Sequence, residues 1–96
     1  MTKAEVISII SEKTGVDKAA TSATIEAFFE TVKEQLSGGE AIYVRGFGSF
    51  VNKKRAEKKA RNISKKTTVT VPAHYIPSFK PSKEFVEEVK KNVTIQ

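Results

Sequence analysis

Ninety-six residues without a single cysteine carry seventeen Lys and Arg against eleven Asp and Glu, a net charge of +6. That length supports one domain with a modest core, and the absence of thiols excludes disulfides, thiolate metal sites and a cysteine nucleophile. No run of about eighteen apolar residues predicts a membrane-spanning helix, and Met1 to Glu5 lacks the apolar segment of a signal peptide, so a cytoplasmic location is expected.

Thr2 to Glu5 reads as a capping box, a hydroxyl N-cap with a glutamate three residues on. Val6, Ile9 and Ile10 then share one helical face, Lys13 stands at the favourable end of the helix dipole, and Thr14-Gly15 ends the helix. Asp17 is the expected N-cap of a second helix reaching about Leu36, with Ile25, Phe28, Phe29, Val32 and Leu36 as its buried stripe. Gly38-Gly39 supplies a left-handed stop. The period changes after Glu40: Ala41 to Val44 is a short β run, Gly46 and Gly48 bracket a turn, and Phe50-Val51 follows as strand. Alternation returns at Thr67 to Val71 and continues from Pro72 to Pro77, where the prolines mark an edge strand or a bulge. A last helix starts near Pro81-Ser82, with Phe85, Val86 and Val89 on one side. The expectation is a single α+β domain: a helical hairpin over 1–39, a three-stranded antiparallel sheet over 40–79 and a C-terminal helix over 80–93.

The charge is local. Lys53 to Lys66 holds eight cations against the one acid Glu57, a net +7, so the rest of the chain sums to −1. Between Val51 and Val69 the only apolar side chains are Ala56, Ala60 and Ile63, too few to offset the entropy of packing into a core. Good strand formers flank this stretch, which predicts a two-stranded arm over 52–70 projecting into solvent. Legs of about eight residues span roughly 26 Å, about twice the width of a major groove. Cations clustered on such an arm point to a polyanion, with nucleic acid first.

The block Gly46-Phe47-Gly48-Ser49-Phe50 is read as structural, glycine for positive φ or close approach and phenylalanine for the core. It is not a phosphate loop, because no G-x-x-x-x-G-K-[ST] is present and no helix follows. His74 is the only histidine and has no serine, cysteine or second histidine for a catalytic role. Glu84, Glu87 and Glu88 are solvated helix charges. No enzyme activity, metal or cofactor is expected. A membrane-surface binder would carry its cations on an amphipathic helix, whereas here they sit on β legs. Adjacent Phe28 and Phe29, with Phe47, Phe50, Phe79 and Phe85, hold more apolar area than a chain this small hides, so an obligate dimer is expected.

Three motifs carry a resemblance: Gly46 to Phe50; Arg55-x-x-Lys58-Lys59-Ala60-Arg61-Asn62; and Pro72-Ala73 with Pro77-Ser78-Phe79-x-Pro81-Ser82-Lys83. Along essentially its whole length the chain resembles the HU and integration-host-factor family of bacterial histone-like proteins. The resemblance implies an intertwined dimer, a homodimer with a heterodimer left open, whose β-ribbon arms enter the minor groove of double-stranded DNA and bend it. It implies a nucleoid-associated protein that compacts DNA with little base specificity. A site-specific bending factor of the same fold, and an RNA- or acidic-protein-binding module, stay open as alternatives. By position, Lys53, Arg55, Lys58, Lys59 and Arg61 would contact phosphates and groove edges, with Asn62, Ile63 and Lys65 at the arm tip, and Lys3, Lys80 and Lys83 would hold flanking DNA. Arg45 and Lys54 lie nearby without an assigned role. The tip departs from the family: Arg61-Asn62 is followed by Ile63-Ser64-Lys65-Lys66 where the family has proline and a glycine turn. β-branching makes Ile63 a poor turn residue, and isoleucine is among the apolar wedges used in minor grooves, so Ile63 is the expected wedge.

Overall fold

Local capping sets the first helix. The Thr2 side-chain oxygen accepts from the Glu5 N–H at 3.2 Å, and the Glu5 carboxylate accepts from the Thr2 hydroxyl at 3.3 Å, a variation on the capping box. The computed structural model describes residues 1–62 and 67–95, which fall into two compact units, Met1–Gln35 and Leu36–Gln96.

In the first unit, α1 spans Lys3–Thr14, with Gly15 in the left-handed conformation (φ 75°) donating its N–H to Ser11 at 2.9 Å. The Ser11 hydroxyl donates to the Val16 carbonyl at 2.6 Å, and the Asp17 carboxylate accepts from the Ala20 N–H at 2.8 Å, capping α2 (Lys18–Ser37). These short-range bonds fix the corner between the helices. The buried side chain of α1 is Ile7, at 9% exposure, which the sequence pattern of Val6, Ile9 and Ile10 overlooked. Thr21 is buried too, a polar residue satisfied because its hydroxyl donates to the Asp17 carbonyl at 2.8 Å. Of the expected stripe on α2, Leu36 is buried at 7% exposure, while Phe28 and Phe29 remain 44% and 46% exposed.

In the second unit, β1 (Ile42–Val44), β2 (Gly48–Arg55) and β5 (His74–Pro81) form an antiparallel sheet in the order β1-β2-β5. Two further strands, β3 (Lys58–Asn62) and β4 (Thr67–Val71), pair as a separate ribbon. The register joins the two. β2 and β5 pair from Gly48↔Pro81 out to Arg55↔His74, and β3 and β4 pair from Lys58↔Val71 to Asn62↔Thr67. Two residues separate the ladders on each leg, 56–57 and 72–73, so the spacing is matched and no extra residue intervenes. Pro72 therefore interrupts the ladder without making a bulge, as its missing N–H requires. Pro77 lies in β5, an edge strand of the sheet, as expected.

Helix α3 (Lys83–Asn92) begins where the Ser82 side chain accepts from the Phe85 N–H at 3.2 Å. The core of this unit is aromatic. Phe47 lies 5.0 Å from Phe79 and 5.3 Å from Phe85 between ring centroids, and Phe50 lies 5.2 Å from Phe79, in the range of favourable ring pairs. The glycine block does two jobs. Gly46 has φ 80°, which the turn from β1 to β2 demands, and Gly48 is buried where a Cβ would sit 2.5 Å from the Lys80 carbonyl oxygen and 2.7 Å from the Phe79 ring. Gly48→Ala is therefore expected to cost about 1–3 kcal/mol through forced displacement of backbone. On a domain of this size each kcal/mol lowers the melting temperature by about 4–8 °C, so a calorimetric melt checks it.

Candidate nucleic-acid interface

The site is built by strand alternation. Successive side chains on a strand point to opposite faces, and directly paired residues share a face. One face of the β2–β3 leg thus presents Lys53, Arg55, Lys59 and Arg61, and cross-strand pairing adds Lys80 opposite Ser49. The other face begins with Phe50 and Phe79 of the aromatic core and continues outward through Lys54 and Lys58, with Val71 and Val69 opposite Lys58 and Ala60. All six described cations from Lys53 to Arg61 are exposed.

None of these cations faces a lysine or arginine across its ladder: Ile76 is opposite Lys53, Tyr75 opposite Lys54, His74 opposite Arg55, Val71 opposite Lys58, Thr70 opposite Lys59 and Thr68 opposite Arg61. Like charges directly opposite one another destabilise a sheet. Confining the cations to one leg avoids that cost while keeping the charge density. The return leg from Thr67 to Ser78 has no lysine or arginine.

Of the other expected contacts, Lys80 lies on β5, Lys83 opens α3, and both are exposed. Lys3 opens α1 and forms an ion pair with Glu26, the one salt bridge among the described residues. Asn62 holds its place in the ladder opposite Thr67. Ile63 and Lys65 lie outside the described residues. Arg45, which the sequence left without a role, lies beside Lys80. Arg45 and Lys80 line one depression of about 380 Å³ with Tyr43, Ser49 and Ser82. The signal was the register: Tyr43 and Lys80 both pair with Ser49.

His74 is exposed, with its Nδ1–H donating to the Pro72 carbonyl at 2.9 Å. Among the described residues no group of three His, Asp or Glu could hold a metal ion, and no helix is long and apolar enough to cross a membrane.

Residues 1–90 match the family model described as bacterial DNA-binding protein. The chain belongs to the HU family. The SPbeta prophage-derived DNA-binding protein HU 2 of Bacillus subtilis is 38% identical over 90 residues, covering 94% of this chain and 98% of that protein. DNA-binding protein HU of Clostridium pasteurianum is 37% identical over 91 residues, covering 95% and 100%. The fold superimposes on the Anabaena HU–DNA cocrystal structure with a TM-score of 0.88 at 33% identity, covering 94% of this chain and 98% of that one. HU from Thermotoga maritima gives 0.67 at 29% identity, covering 94% and 100%. The HU fold expected from sequence is thus the observed one: helical hairpin, antiparallel sheet with ribbon, C-terminal helix.

The Lys3–Glu26 pair is about half exposed on each side, and surface pairs contribute about 0–1 kcal/mol. Glu26→Gln should accordingly change the unfolding free energy from denaturant titrations by less than about 1 kcal/mol.

Proposed function

We propose that this HU-family chain is a non-enzymatic architectural protein that binds double-stranded DNA, bends it and compacts it with little sequence preference. The observation that carries the reading is the arm: a register-matched ribbon with exposed cations along a single leg and no packed core beneath them. Such an arm supplies phosphate contacts that carry no sequence information. Insertion into the minor groove, whose pattern is degenerate, would keep specificity low. Lys53, Arg55, Lys58, Lys59 and Arg61 act as the arm contacts. Lys80, with Arg45 beside it, and Lys3 and Lys83 act on flanking DNA. Nucleoid association follows from the same affinity for DNA.

The working unit is a dimer, most simply a homodimer. Among the described residues no side chain is less than 2% exposed, and Phe28, Phe29, Phe47, Phe79 and Val89 stay more than a third open to solvent in the single chain. A second subunit would cover such a surface, and folding would then depend on concentration. Light scattering at micromolar concentration should give the mass of two chains; a fully folded monomer would refute the dimer.

If about four cations per arm neutralise phosphates, a dimer engages roughly eight. Affinity should then fall about 10³–10⁵-fold between 50 and 200 mM salt. Arg55→Glu should weaken binding to random-sequence duplexes all alike. A flat salt response, or loss on one sequence only, would favour the acidic-protein or site-specific alternatives.

Ile63 is the wedge in this reading. Its role rests on sequence, as the sole large apolar side chain at the tip. Unstacking costs a few kcal/mol per step, offset by the contacts that a bend allows. Ile63→Ala should reduce the bend angle measured by end-to-end energy transfer and leave the salt slope unchanged, while Arg61→Ala should make the slope shallower. Wild-type bending by Ile63→Ala at saturation would remove the wedge.

A further inference from the structure

The two long edges of the arm differ in chemistry. Strand β3 carries Lys58, Lys59 and Arg61, whereas β4, Thr67-Thr68-Val69-Thr70-Val71, carries no charge and is exposed throughout. Among the described strands β4 pairs with β3 alone, so its other edge presents free backbone N–H and C=O groups. Native sheets protect a free edge with lysine, proline or a bulge. The β3 edge has its cations. The β4 edge is five residues of threonine and valine, all favourable in strands, with Pro72 beyond its end and a register free of bulges.

We propose that the free edge of β4 pairs antiparallel with the same edge of a second copy of this chain, giving a four-stranded sheet in the order β3-β4-β4-β3. Charge selects this pairing over the others. With strands about 4.8 Å apart, joining through β4 holds the two cationic strands three steps, roughly 14 Å, from each other. That exceeds the Debye length of about 8 Å at physiological salt. Joining through β3 would set lysine and arginine rows one step apart, inside that length, and joining β3 to β4 would leave the cationic rows only two steps apart. A two-fold contact with full overlap sets Val69 against its own copy and Thr67 against Val71. The Debye length reaches about 30 Å at 0.01 M salt, so the cationic rows repel across the contact there. Self-association of the arms therefore strengthens as salt is added, opposite in sign to phosphate contacts, which weaken.

Sedimentation velocity on the free full-length protein tests this at about 10 mM and about 300 mM salt, on either side of that screening range. Wild type should form a larger species at the higher salt. The Val69→Lys/Thr67→Lys variant should lose it, because a lysine then faces its copy at the centre of the contact. The directly opposite partners of these two positions are Ala60 and Asn62, so neither lysine faces a like charge straight across its own ladder. Duplex affinity of that variant should not fall. With no native cysteine, Val69→Cys should give disulfide-linked chains under mild oxidation much faster than Ala60→Cys on β3. Equal mass at both salts, association by the lysine variant as in wild type, or equal cross-linking from both cysteines would each overturn the proposal, as would association that appears only when DNA is added.

Discussion

One antiparallel register governs the second half of this molecule. It starts where Gly48 lies against the Lys80 carbonyl and the Phe79 ring and holds to the last described pair, Asn62↔Thr67. A single-residue slip would exchange the faces of every side chain beyond it. The close approach at Gly48 leaves no room for a Cβ, which pins the register at the base of the ribbon. The aromatic cluster of Phe47, Phe50, Phe79 and Phe85 then fixes which face belongs to the core. By alternation alone, Lys53, Arg55, Lys59 and Arg61 fall on the opposite face.

The energetics divide along the same line. Ring contacts among the phenylalanines hold the base of the second unit, each well-placed pair adding about 0.5–1.5 kcal/mol beyond its buried area. The arm has no such source and relies on ladder hydrogen bonds and β-favouring side chains. Its cations weaken it little, because none faces another lysine or arginine across the ladder. What the single chain leaves undone is coverage. Ile7 and Leu36 are its only buried apolar side chains among the described residues, a thin interior for a chain of this length.

Much of this was legible in the residues. Thr2, Gly15, Asp17, Gly39 and Ser82 act where their types say they should, because caps and left-handed stops depend on neighbours a few positions away. Gly46 and Gly48 separated into a positive-φ turn and a close approach, the two readings that glycine allows. Less was legible where distant parts of the chain decide. Ile7 rather than Val6 or Ile9 is buried, since periodicity identifies a stripe but not the residue at its centre. Thr21 is buried although polar, because its hydroxyl bonds to the backbone one turn earlier. The pairing of Lys80 with Ser49, and hence its neighbourhood with Arg45, depends on a register that no local pattern encodes. The one-sided charge of the ribbon was written in the sequence all along, yet it became visible only when the two legs were laid side by side.

The matched gap at 56–57 and 72–73 has a consequence for how this arm can change over evolutionary time. A residue gained or lost on one leg would rotate everything outboard by half a strand repeat, turning Lys59 and Arg61 toward the face of Val69 and Val71. Length can drift freely only beyond the last described pair, Asn62↔Thr67, or along the legs by compensated changes on both. Homologous arms should therefore vary at their tips or in step on both legs, and a designer lengthening this one must splice in paired increments that preserve the parity of each leg.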